Sequence, residues 1–152
     1  MLATVLAAIV MLGGPPTATA VPSFVGCYEP SVSGEGSKEV AEMLPSKLRL
    51  LPLRKRNGRS QGRVRGYAEG KEVVMELIDK VVGTAWEPLA GGSGIEVTWG
   101  TGLFGPYVSM ELRRDGDVLA GPAAIYTDEI GGPVVSSRAQ LTPISCARLM
   151  EK

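Results

Sequence analysis

Residues 94–142 read GIEVTWGTGLFGPYVSMELRRDGDVLAGPAAIYTDEIGGPVVSSRAQLT, and their period decides the fold. Ile95, Val97 and Trp99 alternate with Glu96 and Thr98. Val108, Met110 and Leu112 alternate with Ser109, Glu111 and Arg113. Leu119, Gly121, Ala123 and Ile125 share one face, and Ala139 and Leu141 point away from Arg138, Gln140 and Thr142. A period of two is the pattern of a strand with one face buried and the other in water. Turn residues separate the runs: Gly100, Gly102, Gly105 and Pro106, then the hairpin signal Asp115-Gly116, then Gly131, Gly132 and Pro133, which are expected to break the chain. Four successive antiparallel strands are the reading.

Upstream, residues 47–53 and 63–69 flank an Asn57-Gly58 turn signal, residues 84–88 around Trp86 read as a short strand, and another is expected at residues 26–28. That makes about eight strands, spaced as in an antiparallel meander. Two segments depart from period two. In residues 71–82, Val73, Val74, Leu77, Ile78 and Val81 fall at helical spacing opposite Glu72, Glu76, Asp79 and Lys80, which predicts an amphipathic helix, although the valines also suit a strand. Residues 37–44 predict a shorter helix, capped by Ser37 and stopped before Pro45.

The fold class is therefore all-β and mainly antiparallel: a single meander, closed or nearly closed into a barrel, with one or two short helices. Closure places the first and last strands side by side and removes exposed edges. At fold level this resembles the exported barrels of the lipocalin and avidin style, with Gly26-Cys27-Tyr28 standing where a lipocalin carries Gly-x-Trp. No other motif is shared, and no site residue is carried over.

The amino terminus points to export. Residues 2–12 are an uncharged apolar run, Gly13, Gly14, Pro15 and Pro16 end it, and Ala18 and Ala20 match the A-x-A pattern of signal peptidase. The expected organisation is a signal peptide at residues 1–20, cut after Ala20, and one secreted or periplasmic β domain at residues 21–152. The apolar run is too short for the roughly 20 residues that span a bilayer, so no transmembrane span is expected. Cys27 and Cys146, the chain's 2 cysteines, lie near the two ends of the mature domain and are expected to form a disulfide. An alternative is a lipoprotein anchored at Cys27, because Phe24-Val25-Gly26-Cys27 imitates a lipobox.

Composition excludes much chemistry. There is no histidine, so there is no Ser-His-Asp triad, no Cys-His dyad and no histidine-ligated metal; with 2 cysteines, neither a metal site nor a cofactor is expected. Gly100-Thr101-Gly102-Leu103-Phe104-Gly105 spells G-x-G-x-x-G, but Pro106 and a strand pattern follow where a dinucleotide site needs a helix N-terminus. Gly91-Gly92-Ser93-Gly94 misses the nucleophile-elbow spacing and reads as a loop. The remaining acids are Asp115 with Asp117, in a turn, and Asp128 with Glu129, in a polar connection; no catalytic residue is assigned.

The 16 basic and 16 acidic residues balance, yet Lys47, Arg49, Arg54, Lys55, Arg56, Arg59, Arg63 and Arg65 fall within 47–65, a stretch without a single acid. Arg54, Lys55, Arg56 and Arg59 are the candidate contacts to an anionic partner; the competing reading is a solvated hairpin whose cationic edge prevents strand-on-strand aggregation. Nucleic acid is not expected, because Tyr67 alone could stack on bases. The functional expectation is a non-enzymatic barrel that binds a small apolar ligand near Trp86, Trp99, Tyr107, Met110, Ala123 and Tyr126, and that is monomeric by default. The alternative is an interaction module of the envelope or secretome, such as an inhibitor of a secreted enzyme. Interior volume separates the two readings.

Overall fold

A computed structural model describes residues 23–73, 84–100, 105–127 and 130–152. Its strands are β1 (Gly26–Ser33), β2 (Lys47–Leu50), β3 (Arg54–Arg56), β4 (Arg59–Ala68), β5 (Lys71–Val73), β6 (Ala85–Pro88), β7 (Gly94–Gly100), β8 (Tyr107–Asp115), β9 (Val118–Thr127) and β10 (Ile130–Ile144). Each strand pairs antiparallel with its neighbours in the order β2, β1, β10, β9, β8, β7, β6, β4, and β2 pairs with β4 to close an eight-stranded barrel. β3 and β5 add to β4 outside that ring. The expected all-β meander barrel is the observed fold.

The period-two residues behave as their pattern requires. Ile95, Val97, Trp99, Val108, Met110, Leu112, Leu119, Ala123, Ile125, Ala139 and Leu141 are all buried and belong to one core, while Glu96, Glu111, Arg113, Arg138, Gln140 and Thr142 are exposed on the outer wall. Asn57 (φ 50°) and Gly58 (φ 78°) both take left-handed backbone, the two-residue turn that matches strand twist, and join β3 to β4. The β8–β9 hairpin is one residue off the sequence reading. Asp115 pairs with Val118, so the loop is Gly116-Asp117, with glycine at its first central position and φ 60° there.

Three further expectations are corrected. Gly131, Gly132 and Pro133 do not end a strand: β10 runs through them, and the register against β9 shifts between Ile130 and Pro133 and again between Pro133 and Val135. Bulges absorb residues that cannot keep a regular ladder. Residues Lys71–Val73 are strand rather than the first turn of a helix, because Ala68 pairs with Lys71 across a tight Glu69-Gly70 turn; the rest of the expected helix, 74–82, lies outside the described residues. Helix α1 (Ser37–Met43) forms where expected and stops at extended Leu44, but Ser37 is its first residue and Gly36, at φ 71°, its cap. Glycine suits this cap twice over, because it takes the left-handed backbone without cost and because a Cβ there would lie 2.3 Å from the Val135 side chain on β10.

Segments outside the ring of strands pack against the core toward each barrel end. α1, between β1 and β2, packs on β10, β1, β8 and β9, with Val40 fully buried and Met43 and Leu44 against the core. At the opposite end, Phe24 is buried with its ring edge-on to Trp86 at 6.4 Å. The Tyr28 hydroxyl donates to the Phe24 carbonyl at 2.8 Å, and the Arg114 guanidinium lies 5.0 Å above the Phe24 ring while donating to the Ser23 carbonyl at 2.9 Å. Cys27 and Cys146 are bonded across a sequence separation of 119. The bond holds a C-terminal 3-10 turn, Cys146–Met150, on the outer wall over Tyr67, with Leu149 buried between them. A cysteine that is 2% exposed and committed to that bond is not free to carry a lipid, which removes the anchor reading at Cys27.

Candidate functional site: interior and outer wall

Whether the interior holds a ligand depends on how its two tryptophans are accommodated. Trp86 on β6 and Trp99 on β7 point inward and are each 2% exposed. Their space comes from two glycines of β4. A Cβ on Gly62 would lie 2.0 Å from Trp86 Nε1, and one on Gly66 would lie 2.2 Å from Trp99 Cη2. Both indoles therefore rest directly on backbone. Trp86 is also tied, donating from Nε1 to the Leu51 carbonyl at 2.8 Å.

Met110 and Ala123 face each other across the β8–β9 pair, and both are buried. The small inward residues Gly121, Ala123 and Ala139 are buried, and α1 packs on β9 and β10, the strands that carry them. Tyr107 and Tyr126 do not line the interior. They sit at alternate positions to Val108 and Ile125, hence on the outer wall, where their rings stack at 5.4 Å with 14° between planes. Of the six expected lining residues, Trp86, Trp99, Met110 and Ala123 share the core and the two tyrosines lie outside it. Strand parity, which aromatic content alone does not show, puts both tyrosines on the outer face.

One polar atom inside has no partner: Ser137 Oγ is buried, at an inward position opposite Ala123, with no hydrogen bond among the described residues. The Tyr28 phenol, buried and bonded to the Phe24 carbonyl, is pushed above its ordinary pKa by burial, and the nearby Arg114 charge offsets this only in part. A depression of about 330 Å³ lies on the open outer wall at the ends of β8, β9 and β10, between Glu111, Arg113, Arg114 and Arg138. No family model, curated protein or solved structure matches this chain.

On the opposite wall the basic residues are sorted by strand parity. Arg49 of β2 and Arg63 and Arg65 of β4 project outward, and Arg49 stands directly opposite Arg65. Arg54 pairs in register with Gln61, so it shares that outer face; Lys55 pairs with Ser60 and takes the other face of the hairpin, whose last rung is Arg56 with Arg59. The β3–β4 hairpin extends past the barrel end, carrying Arg54, Lys55 and Arg59 in solvent. Lys47 is already employed, donating from Nζ to the carbonyls of Arg148 at 2.6 Å and Glu151 at 2.7 Å and so holding the C-terminal turn down. Arg65 meets Glu72 at 3.5 Å with both side chains nearly half exposed, a geometry that contributes little.

Asp115 and Asp117 are exposed around the β8–β9 turn, and Asp128 and Glu129 lie outside the described residues. Gly100 ends β7, whereas residues 101–104 of the G-x-G-x-x-G spelling also lie outside them. Among the described residues no group of three or more Cys, Asp or Glu stands together as a metal site, and no helix is long and apolar enough to cross a membrane.

Proposed function

We propose that this chain is an exported, non-enzymatic interaction module: a solid barrel that meets its partner through its outer wall. One observation carries the reading. Trp86 and Trp99 occupy the space between the barrel walls down to the backbone of Gly62 and Gly66, and Phe24 and α1 stop the two ends. An eight-stranded barrel has an interior wide enough for side chains or for one small ligand, and here side chains take it. Export is supported by the apolar run at residues 2–12 with Ala18 and Ala20 after it, and by a disulfide that persists in an oxidising compartment. A non-catalytic role is supported by the lack of histidine and by the solvated setting of Asp115 and Asp117.

The test is a titration of indole emission with a fatty acid, a quinone and a sterol. The wild type is expected to show no saturable shift. Trp99→Ala, which opens a void beside Gly66, is expected to acquire a weak site for benzene, as engineered apolar cavities of about 150 Å³ do. A saturable shift in the wild type refutes the solid-barrel reading. A second reading, a small polar ligand beneath α1, is favoured by the unpartnered Ser137 hydroxyl, which a ligand polar group would satisfy.

A further inference from the structure

We propose that the outward arginines of β2, β3 and β4 form a docking strip for a linear acidic polysaccharide, an inference that rests on the outer-wall reading and names its partner. The explanation available from sequence, a cationic edge that discourages aggregation, holds for β3 but fails for Arg49, Arg63 and Arg65. Their strands are paired on both sides in a closed barrel, which has no edge to protect.

The arrangement also works against stability. Arg49 and Arg65 occupy directly opposed positions on one face, where like charges repel at Cβ separations of about 4.5–5.5 Å. Among the described residues Glu72 alone forms an ion pair with the strip, through Arg65, and Glu87 beside it is hydrogen-bonded to Gln61. Arg49, Arg54, Arg59 and Arg63 are exposed and have no ion-pair partner there. A set of closely placed cations, of which only Arg65 has an ion-pair partner among the described residues, on a structurally secure wall is explained by a ligand that supplies the anions.

Geometry narrows that ligand. Arg59, Arg63 and Arg65 lie on the same face of one strand: Arg63 and Arg65 are about 7 Å apart, Arg59 lies about 13 Å from Arg63 with Gln61 between them, and the row spans about 20 Å, with Arg49 and Arg54 alongside. The charges form a line rather than a pocket, which fits a chain lying along the wall. All five are arginine, whose planar fork takes a sulfate or carboxylate through two parallel hydrogen bonds. Among the described residues the face offers no aromatic platform for bases: Tyr67, the next outward residue of β4, is buried beneath the C-terminal turn. Leu53 is the exposed large apolar side chain beside the strip, too little to anchor a bilayer contact.

The experiment compares the full chain, Arg49→Gln/Arg63→Gln/Arg65→Gln, and a charge-matched control, Lys38→Gln/Arg113→Gln/Arg138→Gln, on immobilised heparin. The wild type and the control are expected to be retained at 50 mM salt. Retention should fall steeply with salt, about 100-fold in affinity between 50 and 200 mM for five contacts if each behaves like a single-strand phosphate contact. The strip variant is expected to flow through while keeping, or raising, its denaturation midpoint, because Gln relieves the Arg49–Arg65 repulsion. Loss of retention in the control as well, or retention by the strip variant, overturns the strip. Absent wild-type retention overturns it too, and so does stronger binding to single-stranded DNA or to phosphatidylglycerol vesicles than to heparin. None of these outcomes restores an interior ligand, which only a saturable indole shift would do.

Discussion

Gly62→Ala is the substitution most sensitive to whether the barrel is solid. Its new Cβ would lie 2.0 Å from Trp86 Nε1, 2.5 Å from Cε2 and 2.7 Å from the Leu51 carbonyl oxygen, so the indole has to move. Moving it breaks the 2.8 Å hydrogen bond from Nε1 to that same carbonyl and pushes the ring toward Phe24. Overpacking a filled core costs about 1–3 kcal/mol, and leaving a buried donor and acceptor unpaired costs about 1–3 kcal/mol more. The expected loss is therefore about 2–6 kcal/mol, a large part of the roughly 5–15 kcal/mol that holds a domain together. Urea unfolding followed by Trp emission and by far-UV circular dichroism measures it, with Gly131→Ala as the control. Gly131 has nothing within 4 Å of its added Cβ and no positive φ, so that change should shift stability by less than about 0.5 kcal/mol. A Gly62→Ala cost below about 1 kcal/mol would show that Trp86 has room to retreat, and the filled-interior reasoning would fall.

Four further outcomes are expected. Replacing Cys27 and Cys146 by Ala opens a loop with a separation of 119 and should cost about 4–5 kcal/mol in the chain-entropy account, and intact mass before and after alkylation should show no free thiol in the wild type. Burial holds the Tyr28 phenol un-ionised above pH 10, where the unfolded chain releases that proton, so its contribution is intact at neutral pH and is lost as pH rises past 10; Tyr28→Phe should remove this alkaline loss while costing about 0.5–1.5 kcal/mol at pH 7 for the missing bond to Phe24. Lys47→Gln should release the C-terminal turn locally, raising amide exchange at Ala147 and Arg148 with little change in global stability. Ser137→Ala should be neutral or stabilising by up to about 1 kcal/mol if the hydroxyl is unsatisfied, and a clear destabilisation would show that a partner occupies the site.

The strands of residues 94–142 were legible because each buries one face, so period two, turn residues and register all agree, and the inward set proposed from pattern is the buried set. Cys27 and Cys146 were legible for a topological reason: closing a meander brings its ends together. What pattern could not reveal was occupancy. Gly62 and Gly66 read as ordinary strand glycines until the indoles of Trp86 and Trp99, 24 and 33 residues further on, are placed against them. Phe24 and Val40 read as a terminus and a short helix, yet they close opposite ends of the barrel. The valines of residues 71–82 suit both periods, and within the described part a two-residue turn at Glu69-Gly70 makes Lys71–Val73 a strand. The basic stretch was visible as composition; only strand parity separates Arg49, Arg63 and Arg65 on a closed wall from Lys55 on a free hairpin.

A crystal structure under xenon pressure tests the filled interior most directly, since xenon enters apolar voids without needing polar contacts. A barrel filled by Trp86, Trp99 and Met110 and stopped by Phe24 and α1 should show no xenon inside in the wild type and one site beside Gly66 in Trp99→Ala. Ordered xenon in the wild type, in contact with Met110, Ala123 and Ala139, would contradict the solid barrel and return the chain to the class of small-ligand carriers.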